Sequence, residues 1–342
     1  MKKLNVALAG LGRIGKIHLR NLTRNFKEIK VLAAMDVVDA SKAIADEFDV
    51  PVFVKTFDEL LAQPGLDAVV ICSPTDTHAD YVVKAARAGK QIFCEKPLDL
   101  DLERVQEVLE IVKEAGVGMM LGFNRRFDPE FRRIRELVEN GSVGDPYIVK
   151  ITSRDPGPPP VSYIRVSGGL FLDMTIHDFD MARFISGKEV KEVYARASVK
   201  VDPEIGRAGD VDTAVITLTY TDGSMAIIDN CRKAAYGYDQ RLEVFGSKGM
   251  ARAENNFPNN HQLYTEQAVT GDLPLHFFLE RYDASYNQEI REFIDALLSG
   301  SAMPVDGKDG LLSMAIGLAA RKSVRENRPV AVTEILDAQQ TR

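Results

Sequence analysis

The chain contains an Asp-x-x-x-His pattern whose side chains are suited to moving a proton. Asp173 and His177 are four residues apart, so in a helix they share one face, with Cβ atoms about 5–6 Å apart. Histidine titrates near neutral pH, which makes it a frequent general acid or base. The same spacing also occurs as a plain intrahelical pair, and the spacing alone leaves both interpretations open.

A second reactive segment is Cys94-Glu95-Lys96-Pro97, which follows an apolar run. Proline fixes its own φ and biases the preceding residue toward extended conformations. The loop that carries Lys96 is therefore predicted to have a fixed geometry, and a cis Lys96–Pro97 bond is one option for it. A plain solvated Glu-Lys loop is the alternative.

A glycine-rich turn, Gly10-Leu11-Gly12-Arg13-Ile14-Gly15, lies between an apolar run and a helical pattern. In a dinucleotide site the first glycine permits the turn, the second admits the pyrophosphate and the third lets helix pack on strand. The helix N-terminus then offers N–H groups to the phosphates. Asp36 ends the next apolar run, where a carboxylate binds the adenine ribose and repels a 2′-phosphate. The pattern favours NAD, and NADP remains an alternative if a cation from elsewhere reaches the ribose.

Ser73, Thr75 and His78 follow the fourth apolar run, at the carboxyl edge of the predicted sheet where cofactor loops gather. His78 also fits a residue in the first turn of a helix. The residues predicted to contact NAD are Gly10, Gly12, Arg13, Ile14, Gly15, Asp36, Ser73, Thr75, His78, Glu95 and Lys96.

The elements that must position these residues begin with alternating strands and helices in the first third of the chain. The pattern opens with a strand at 4–9, a helix at 14–25 and a strand at 29–35, and its last strand is 117–121. Nearly all-apolar strands joined by helices predict a doubly wound parallel sheet. The sequence thus predicts an α/β Rossmann domain over residues 1–122.

After Gly122 strand-like stretches are joined by turns such as Thr221-Asp222-Gly223, which predicts an antiparallel sheet. A helix over 169–185 carries the Asp-His pair, and two helices close the chain. Residues 123–342 are predicted to form an α+β domain for substrate binding and oligomerisation, with a large, mostly antiparallel open-faced sheet. Helices would cover one face, and the other face would need a partner, which favours a homo-oligomer.

The glycine turn, the Glu-Lys-Pro loop and the Asp-x-x-x-His helix, in this order, resemble the Gfo/Idh/MocA oxidoreductase family along nearly the whole chain. Segments 122–128, 153–160 and 168–184 resemble the inositol dehydrogenases of that family. The resemblance implies NAD-dependent oxidation of one secondary alcohol of a cyclic polyol in inositol catabolism, most simply myo-inositol to 2-keto-myo-inositol (scyllo-inosose). It also implies a homotetramer.

The resemblance further implies a catalytic triad of Lys96, Asp173 and His177. His177 suits the base that takes the hydroxyl proton while hydride leaves carbon for the nicotinamide. Lys96 would hold the same oxygen and stabilise developing alkoxide charge, and Asp173 would orient the hydroxyl or Lys96. The loop of Lys96 and the helix of His177 are expected to converge beside the nicotinamide. No metal is expected, because the cofactor carries the difficult chemistry.

An uncharged polyol requires a pocket of hydrogen-bond donors and acceptors. The resemblance supports Arg126, Asp155, Asp180 and one of Tyr236 and Tyr238. The alternative is that the arginines pair with acidic neighbours and the tyrosines are half-buried sheet residues. The residues predicted to contact substrate are Lys96, Asn124, Arg126, Asp155, Asp173, His177, Asp180 and Tyr236.

Composition excludes several other classes of protein. The chain has 342 residues and a net charge of −7, which disfavours nucleic acid and anionic membranes as partners. There is no apolar run long enough for a membrane span and no signal-peptide pattern. Cys72, Cys94 and Cys231 match no metal pattern and are expected as free thiols in the cytoplasm.

Three functional alternatives remain open at this stage. One is a dehydrogenase for another inositol isomer, such as scyllo-inositol, and a second is a dehydrogenase for glucose or another pyranose. The third is a sugar sensor that binds the nucleotide without turnover. Such sensors are expected to lose Lys or His from the triad, and this chain keeps both.

Overall fold

The structure is a computed structural model that describes residues 3–338. The chain forms two compact units. Unit 1 comprises the chain up to Asn124 together with Ser285–Leu311, and unit 2 comprises Arg125–Ala284 together with the chain from Leu312. The first boundary lies within two residues of the expected one. The segment Ser285–Leu311, which the expected boundary assigns to the second domain, lies in unit 1.

Unit 1 contains the predicted doubly wound parallel sheet, with strand order β3-β2-β1-β4-β5-β6 and every pair parallel. Its elements up to Gly122 are β1 Leu4–Ala9, α1 Arg13–Arg24, β2 Ile29–Met35, α2 Lys42–Glu47, β3 Val52–Val54, α3 Phe57–Leu61, β4 Ala68–Ile71, α4 Thr75–Arg87, β5 Gln91–Glu95, α5 Leu102–Ala115 and β6 Met119–Gly122.

The sequence explains where these elements lie. Every residue of β4 is buried, as expected for a strand covered on both faces. The helix α5 begins at the side-chain cap of Asp101 and ends at Gly116, whose φ is +64°, a conformation that glycine adopts without strain.

Unit 2 is built on a seven-stranded sheet with strand order β12-β11-β7-β10-β9-β8-β15. Only β10 and β7 pair in parallel, so the prediction of a mostly antiparallel sheet is confirmed. The remaining elements of the chain are α6 Pro129–Glu139, β7 Pro146–Arg154, α7 Val161–Ile164, α8 Ile176–Ser186, β8 Val190–Ser198, α9 Pro203–Arg207, β9 Thr213–Tyr220, β10 Met225–Cys231, β11 Asp239–Gly246, β12 Gly249–Ala253, β13 Leu263–Tyr264, β14 Val269–Thr270, α10 Phe278–Arg281, α11 Asp283–Ser299, α12 Gly307–Glu326, β15 Val330–Ala331 and α13 Val332–Asp337.

The part of α11 from Ser285 onward belongs to unit 1 because its apolar face is used there. Ile290, Phe293 and Ile294 are buried, and the ring of Phe293 lies 5.7 Å from that of Phe93 on β5. The helical pattern of α11 is visible in the sequence, but the surface that its apolar face covers is not.

The strand-like pattern over residues 190–201 indicates a strand of that length, but the observed strand β8 is shorter. The strand β8 ends at Ser198 because the next backbone N–H groups bind a side chain instead of a neighbouring strand. Lys200 and Val201 donate to the two carboxylate oxygens of Asp212 at 2.7 and 2.8 Å.

The two faces of the large sheet differ. On β9 buried residues alternate with more accessible ones, and the hydroxyl of buried Tyr220 donates to the carbonyl of Ala182 on α8 at 2.8 Å. Helices therefore cover one face, as predicted. The large apolar side chains that are 36–53% exposed on the sheet strands are Tyr147, Val215, Met225, Ile227, Phe245 and Met250; we call these residues the open face.

The predicted helix over 169–185 forms in two parts. Leu170–Met174 is a π-helical turn that precedes α8, and the Thr175 N–H reaches back to the Leu170 carbonyl at 2.9 Å. The Thr175 hydroxyl donates to Asn230 at 2.6 Å, which ties this junction to β10. Turns of this type occur often at functional sites. Among residues 3–338 no helix has the length and apolar character needed to cross a membrane.

Candidate active site

The glycine turn of unit 1 has the geometry that its three glycines predict. Gly10 has a φ of +93°, and a Cβ there would lie 2.6 Å from the backbone of Ser73. A Cβ on Gly15 would lie 1.8 Å from the Gly10 carbonyl oxygen. At Gly12, which begins α1 without a side-chain cap, a Cβ would meet nothing within 4 Å. The second glycine thus borders open space at a helix N-terminus, where a pyrophosphate binds well.

Asp36 ends β2 and braces the turn. One carboxylate oxygen accepts from the Leu11 N–H at 2.7 Å and the other from the Val38 N–H at 2.8 Å. Each oxygen keeps a further lone pair for a ribose hydroxyl. Lys55 is a nearby cation, but its ammonium contacts the carbonyl oxygen of Val37 and pairs with Asp39 at 2.8 Å. Because the ammonium of Lys55 is engaged by Val37 and Asp39, the carboxylate of Asp36 remains the charged group that ends β2.

His78 connects two loops at the carboxyl edge of the parallel sheet. Its Nε2 lies 2.8 Å from the Ser73 carbonyl and its Nδ1 lies 2.8 Å from the Pro97 carbonyl. The ring is 2% exposed, and burial lowers the pKa of His78. Both ring nitrogens lie within hydrogen-bond distance of protein carbonyls, so the ring links the loops that follow β4 and β5.

The Glu-Lys-Pro loop follows β5 and has a cis Lys96–Pro97 bond. Glu95 pairs with Gly122 on β6, and a Cβ on Gly122 would lie 2.9 Å from the Glu95 carboxylate. The carboxylate also lies 2.7 Å from Nε2 of His18 on α1. Glu95 is thus held on two sides, and half-buried Lys96 follows it directly.

In unit 2 three polar side chains extend from the ends of neighbouring strands. Asp155 follows β7, Arg232 follows β10 and Tyr238 precedes β11. The ladders pair Arg154 with both Cys231 and Asp239. One step beyond those pairs, Asp155 has Arg232 on one side and Tyr238 on the other.

Arg232 connects two carboxylates that the sequence analysis treats separately. Its guanidinium donates to Asp173 at 3.0 Å and contacts Asp155 at 3.5 Å. The hydroxyl of Tyr163 donates to the other oxygen of Asp173 at 3.0 Å. Arg232 is 3% exposed, so the two carboxylates and the guanidinium form a largely enclosed charged group. Burial raises the pKa of Asp155 to about 6, and the charge of Asp173 adds to this shift while Arg232 opposes it.

Asp173 and His177 are distinguished by their exposure. Between Leu170 and Arg183 they are the only residues that are not buried. A helix that is otherwise enclosed therefore presents these two side chains at its accessible positions. This is the arrangement expected of a functional pair rather than of a surface ion pair.

Two further arginine–carboxylate pairs lie inside unit 2. Arg126 binds Asp180 through two parallel bonds of 2.8 and 2.6 Å, and Arg125 binds Asp178 at 2.5 Å. All four residues are at most 8% exposed. Asp178 also accepts from the amide of Asn230 at 2.9 Å. The alternative of arginines paired with acidic neighbours therefore describes Arg126 and Asp180, which we keep as supports of the site rather than as substrate contacts.

The two tyrosines proposed for the pocket have different surroundings. The hydroxyl of Tyr236 donates to Asp239 at 2.6 Å and accepts from Arg154 at 3.0 Å. Tyr238 is 6% exposed, and burial raises the pKa of its hydroxyl well above the ordinary value, with Arg125 opposing and Asp155 adding to the shift. The neighbourhood of Asp155 favours Tyr238 over the predicted Tyr236.

Asn124 belongs to unit 1 and is 3% exposed, with its amide donating to Ser285 at 3.2 Å. Of the other predicted cofactor contacts, Arg13 is exposed, Ile14 is half-buried and Thr75 is the half-buried first residue of α4.

Sequence reasoning missed Arg232 and Tyr163. Arg232 carried a signal, because it follows the apolar alternation of β10 just as Asp155 follows that of β7. The signal becomes useful only when the two strands are known to be neighbours. Tyr163 lies in the short helix α7, which has no periodic pattern in the sequence.

Comparison with known proteins identifies the family of the chain. Residues 4–123 match the oxidoreductase family with an NAD-binding Rossmann fold, and residues 131–252 match the GFO/IDH/MocA C-terminal domain. The chain belongs to the Gfo/Idh/MocA oxidoreductase family. The expected fold, family and NAD cofactor are confirmed.

Within this family the chain is similar to proteins named as inositol dehydrogenases. It is 49% identical to the myo-inositol 2-dehydrogenase of Thermotoga maritima, covering 97% of this chain and 100% of the relative. It is 48% identical to the inositol 2-dehydrogenase of Rhizobium meliloti, covering 95% and 98%.

Solved structures extend the similarity to the backbone. The myo-inositol dehydrogenase of Corynebacterium glutamicum has a TM-score of 0.92 at 38% identity, covering 96% of this chain and 98% of that one. The scyllo-inositol dehydrogenase of Lactobacillus casei, solved with NAD(H) and scyllo-inositol, has a TM-score of 0.91 at 32% identity, covering 97% and 100%.

The residues of unit 1 fit NAD on structural grounds. The open Cβ position of Gly12 and the uncapped start of α1 suit a pyrophosphate. Asp36 offers a carboxylate for ribose hydroxyls, and the adjacent Val37 and Val38 are 73% and 55% exposed, which provides apolar surface for an adenine.

Proposed function

We propose that this protein is an NAD-dependent inositol 2-dehydrogenase that oxidises myo-inositol to 2-keto-myo-inositol. The observation that carries the proposal is the exposure of Asp173 and His177 on an otherwise buried helix, with Asp173 bonded to Arg232. An uncharged, hydroxyl-rich substrate needs acceptors and a base, and this group supplies both. The high identity to inositol dehydrogenases over the full chain supports the same substrate class.

In the proposed reaction a secondary alcohol becomes a ketone and loses one hydride and one proton. Bound NAD supplies the hydride acceptor at its nicotinamide ring. His177 accepts the hydroxyl proton as general base. Lys96, an ammonium in a restrained loop, binds the same oxygen and stabilises the negative charge that develops on it. Asp173, held by Arg232 and Tyr163, orients the substrate hydroxyl.

Substrate recognition in this proposal uses the polar group at the strand ends of unit 2. Asp155 and Tyr238 contact neighbouring hydroxyls, whereas Asn124 of unit 1 is buried and bonded to Ser285. The pairs Arg126–Asp180 and Arg125–Asp178 support the strands and the helix that carry these groups. A site made of hydrogen-bonding groups rejects analogues that leave those groups unpaired.

Oxidation of scyllo-inositol is the second candidate. The likeness to the Lactobacillus casei enzyme, solved with scyllo-inositol, covers 97% of this chain, which supports a substrate that differs from myo-inositol at one carbon. The two isomers differ in the orientation of one hydroxyl, and the polar residues around Asp155 decide between them.

A substrate panel tests the function. NADH formation is measured with myo-inositol, scyllo-inositol, other inositol isomers and glucose, with NAD and with NADP. We expect the highest kcat/KM for myo-inositol with NAD. A higher value for scyllo-inositol selects the second candidate, and turnover of glucose alone or of no polyol overturns the proposal.

We also propose a cytoplasmic homotetramer in which the open face packs against a second copy. Monomers rarely expose contiguous apolar patches of this kind, and one copy of a face can pair with another around a twofold axis. The three cysteines are free thiols, which agrees with a reducing compartment. Phe245→Glu should lower the molar mass measured by sedimentation. Leu273→Glu, which changes another exposed apolar residue, should not. An unchanged mass for Phe245→Glu contradicts the interface.

A further inference from the structure

A buried cluster of titratable side chains in unit 1 has no role in the reaction described above. His18 from α1, Glu95 from β5 and Glu289 from α11 place their nitrogen and carboxylate oxygen atoms within 4.8 Å of one another. His18 and Glu289 are fully buried, and the Glu95 side chain is 12% exposed.

The hydrogen of His18 can be assigned from its contacts. Nε2 lies 2.7 Å from Glu95, whereas Nδ1 is buried and has no hydrogen-bond partner among residues 3–338. The ring is fixed by edge contacts with Phe93 at 5.1 Å and Tyr286 at 5.7 Å. We therefore assign the hydrogen to Nε2, which donates to a carboxyl oxygen of Glu95.

The carboxyl group of Glu289, unlike that of Glu95, has no such contact. Neither of its carboxylate oxygens has a hydrogen-bond partner among the described residues, and no lysine or arginine in that part of the chain forms an ion pair with it. Two carboxylates this close in a buried site cannot both be ionised at low cost. Burial, and then the charge of Glu95, raise the pKa of Glu289 well above its ordinary value.

The other titratable groups that face Glu289 do not offset its charge. Cys72, after β4, is a thiol whose pKa is raised by burial and by the charges of Glu95, Cys94 and Glu289. Tyr286 on the same helix packs its ring edge-on against His18, with centroids 5.7 Å apart. A proton on Glu289 is the simplest way for the fold to keep this carboxyl buried.

We propose that Glu289 is a positioning residue: a neutral carboxylic acid that shares its proton with Glu95 and, together with His18, fixes the backbone that presents Lys96. The proposal rests on the function of Lys96 given above. In the structure neither oxygen of Glu289 is within hydrogen-bond distance of a partner among the described residues, and rotation about the soft terminal torsion of the side chain would bring its O–H toward Glu95, whose oxygen lies within 4.8 Å.

The packing of Glu95 explains why this proton matters. Glu95 lies over Gly122, where a Cβ would approach its carboxylate to 2.9 Å, and it is bonded to His18. A second negative charge on Glu289 would push Glu95 out of this place. Since Lys96 is the next residue, its ammonium would move with the backbone.

Histidine and glutamate are also zinc ligands, which makes a metal site the alternative for the cluster. The contact of 2.7 Å between His18 and Glu95 has the length of a direct hydrogen bond, which needs a proton between the two groups and no metal. The cluster offers three ligand atoms, the number that a catalytic zinc site uses, so metal binding is the contrary outcome of the test below.

The test compares the full-length wild type with Glu289→Gln, Glu289→Leu and the control Asp295→Asn. Gln is a neutral isostere that still donates a hydrogen bond, Leu donates none, and Asp295 is an exposed carboxylate on the same helix. The measurements are the infrared carbonyl band of a neutral carboxylic acid, proton release on unfolding at pH 7, NAD affinity, and kcat and KM between pH 6 and 10.

We expect the carboxylic acid band in the wild type and in Asp295→Asn, and its loss in Glu289→Gln. Unfolding should release one proton fewer from Glu289→Gln, because only the wild type must discard the proton of Glu289. The Gln variant should keep kcat within about twofold. If ionisation of Glu289 displaces Glu95, kcat of the wild type falls at alkaline pH while that of the Gln variant does not, since Gln cannot ionise. The Leu variant should lose about tenfold in kcat with unchanged NAD affinity.

Equal proton release and equal infrared spectra for wild type and Glu289→Gln overturn the proposal, and so does one equivalent of bound divalent metal that Glu289→Gln removes. These measurements need no substrate. If the wild type shows the band but oxidises no inositol, the proposed function fails while the protonation of Glu289 stands. If the Leu variant does not fold, the Gln variant decides the outcome.

Discussion

The cofactor site of unit 1 and the polar site of unit 2 both lie at strand ends, but the first is formed mainly by backbone groups and the second by side chains. In unit 1 the geometry comes from the backbone: glycines without Cβ atoms, a helix N-terminus and carbonyls around His78. In unit 2 it comes from charged side chains, in which Arg232 joins Asp155 to Asp173. A backbone site tolerates few residue types at each position, whereas a side-chain site depends on which residues meet in space.

The two sites also differ in electrostatics. The glycine turn attracts anionic phosphates through N–H groups whose partial charge does not change with pH. In unit 2 the pKa of Asp155 is raised to about 6, so the charge of that site changes near neutral pH. The comparison predicts that substitutions in the glycine turn of unit 1 act mainly on cofactor affinity, and those in the charged group of unit 2 mainly on turnover and its dependence on pH.

The largest expected effect is that of His177→Ala, which tests the side-chain site of unit 2. Removal of the general base should lower kcat by about 10²–10⁴-fold, while NAD affinity, measured by fluorescence titration, stays unchanged. His261→Ala removes a histidine whose side chain is 57% exposed and should have no effect. Full activity of His177→Ala rules out the base assignment.

Glycine substitutions test the backbone site next. In Gly12→Ala the new methyl group meets no protein atom, so it should weaken NAD binding by about tenfold, or 1.4 kcal/mol, with little change in the free energy of unfolding. Gly15→Ala should lose both affinity and stability, because its Cβ would lie 1.8 Å from the Gly10 carbonyl oxygen. Gly249→Ala also adds a methyl group in open space and is the control. Equal NAD affinity in Gly12→Ala and Gly249→Ala contradicts the pyrophosphate site.

The pH dependence of Asp155 tests the charge-dependent site. As the pH falls through about 6, Asp155 gains a proton and accepts fewer hydrogen bonds. The ratio of kcat/KM for the wild type to that for Asp155→Asn should therefore decline several-fold toward pH 5. Asp145→Asn, an exposed carboxylate of the same unit, should keep a constant ratio to the wild type.

The effect of Asp155 on stability changes with pH in the direction opposite to its effect on activity. The pKa of Asp155 is raised in the folded protein, so its stabilising contribution is complete below the unfolded value near 3.8 and is lost as the pH rises through about 6. Relative to Asp155→Asn, the wild type should lose up to about 3 kcal/mol of unfolding free energy over that range. Urea unfolding at pH 4 and pH 7 measures the difference, and a difference independent of pH would refute the raised pKa.

The smallest expected effect is that of Asp36→Asn. The amide oxygen still accepts one backbone bond, so the turn persists, while the charge that repels a 2′-phosphate is gone. The preference for NAD over NADP, measured as a ratio of kcat/KM, should fall a few-fold. An unchanged ratio means that another feature, such as the pairing of Lys55 with Asp39, sets the preference.

Several parts of the fold could be predicted because their signals are local. The glycine turn, the buried strands and the caps of α5 each depend on residues a few positions apart. The short elements α7, β13, β14 and β15 could not be predicted, since two to four residues contain no period. The end of β8 depends on Asp212, which is far along the sequence from the backbone groups that it binds.

In the candidate site, too, some features could be predicted from the sequence and others appear only in the folded structure. Asp173 and His177 were visible as a spaced pair, but their selective exposure appears only when the rest of the helix is enclosed. Arg126 and Asp180 looked equally suited to bind substrate until the fold placed them 2.6 Å apart. Of Tyr236 and Tyr238, the register of β7 and β11, which pairs Asp239 with Arg154, places Tyr238 next to Asp155.

By itself the sequence determined the family, the parallel sheet and the residues that can carry hydride-transfer chemistry, because each follows from residue type and short-range spacing. The tertiary structure alone decided which charges are paired, which are accessible and which carboxyl is buried without a counterion. These properties depend on distances between segments far apart in the chain. Local pattern cannot encode such distances, because burial and charge pairing arise only when strands and helices pack.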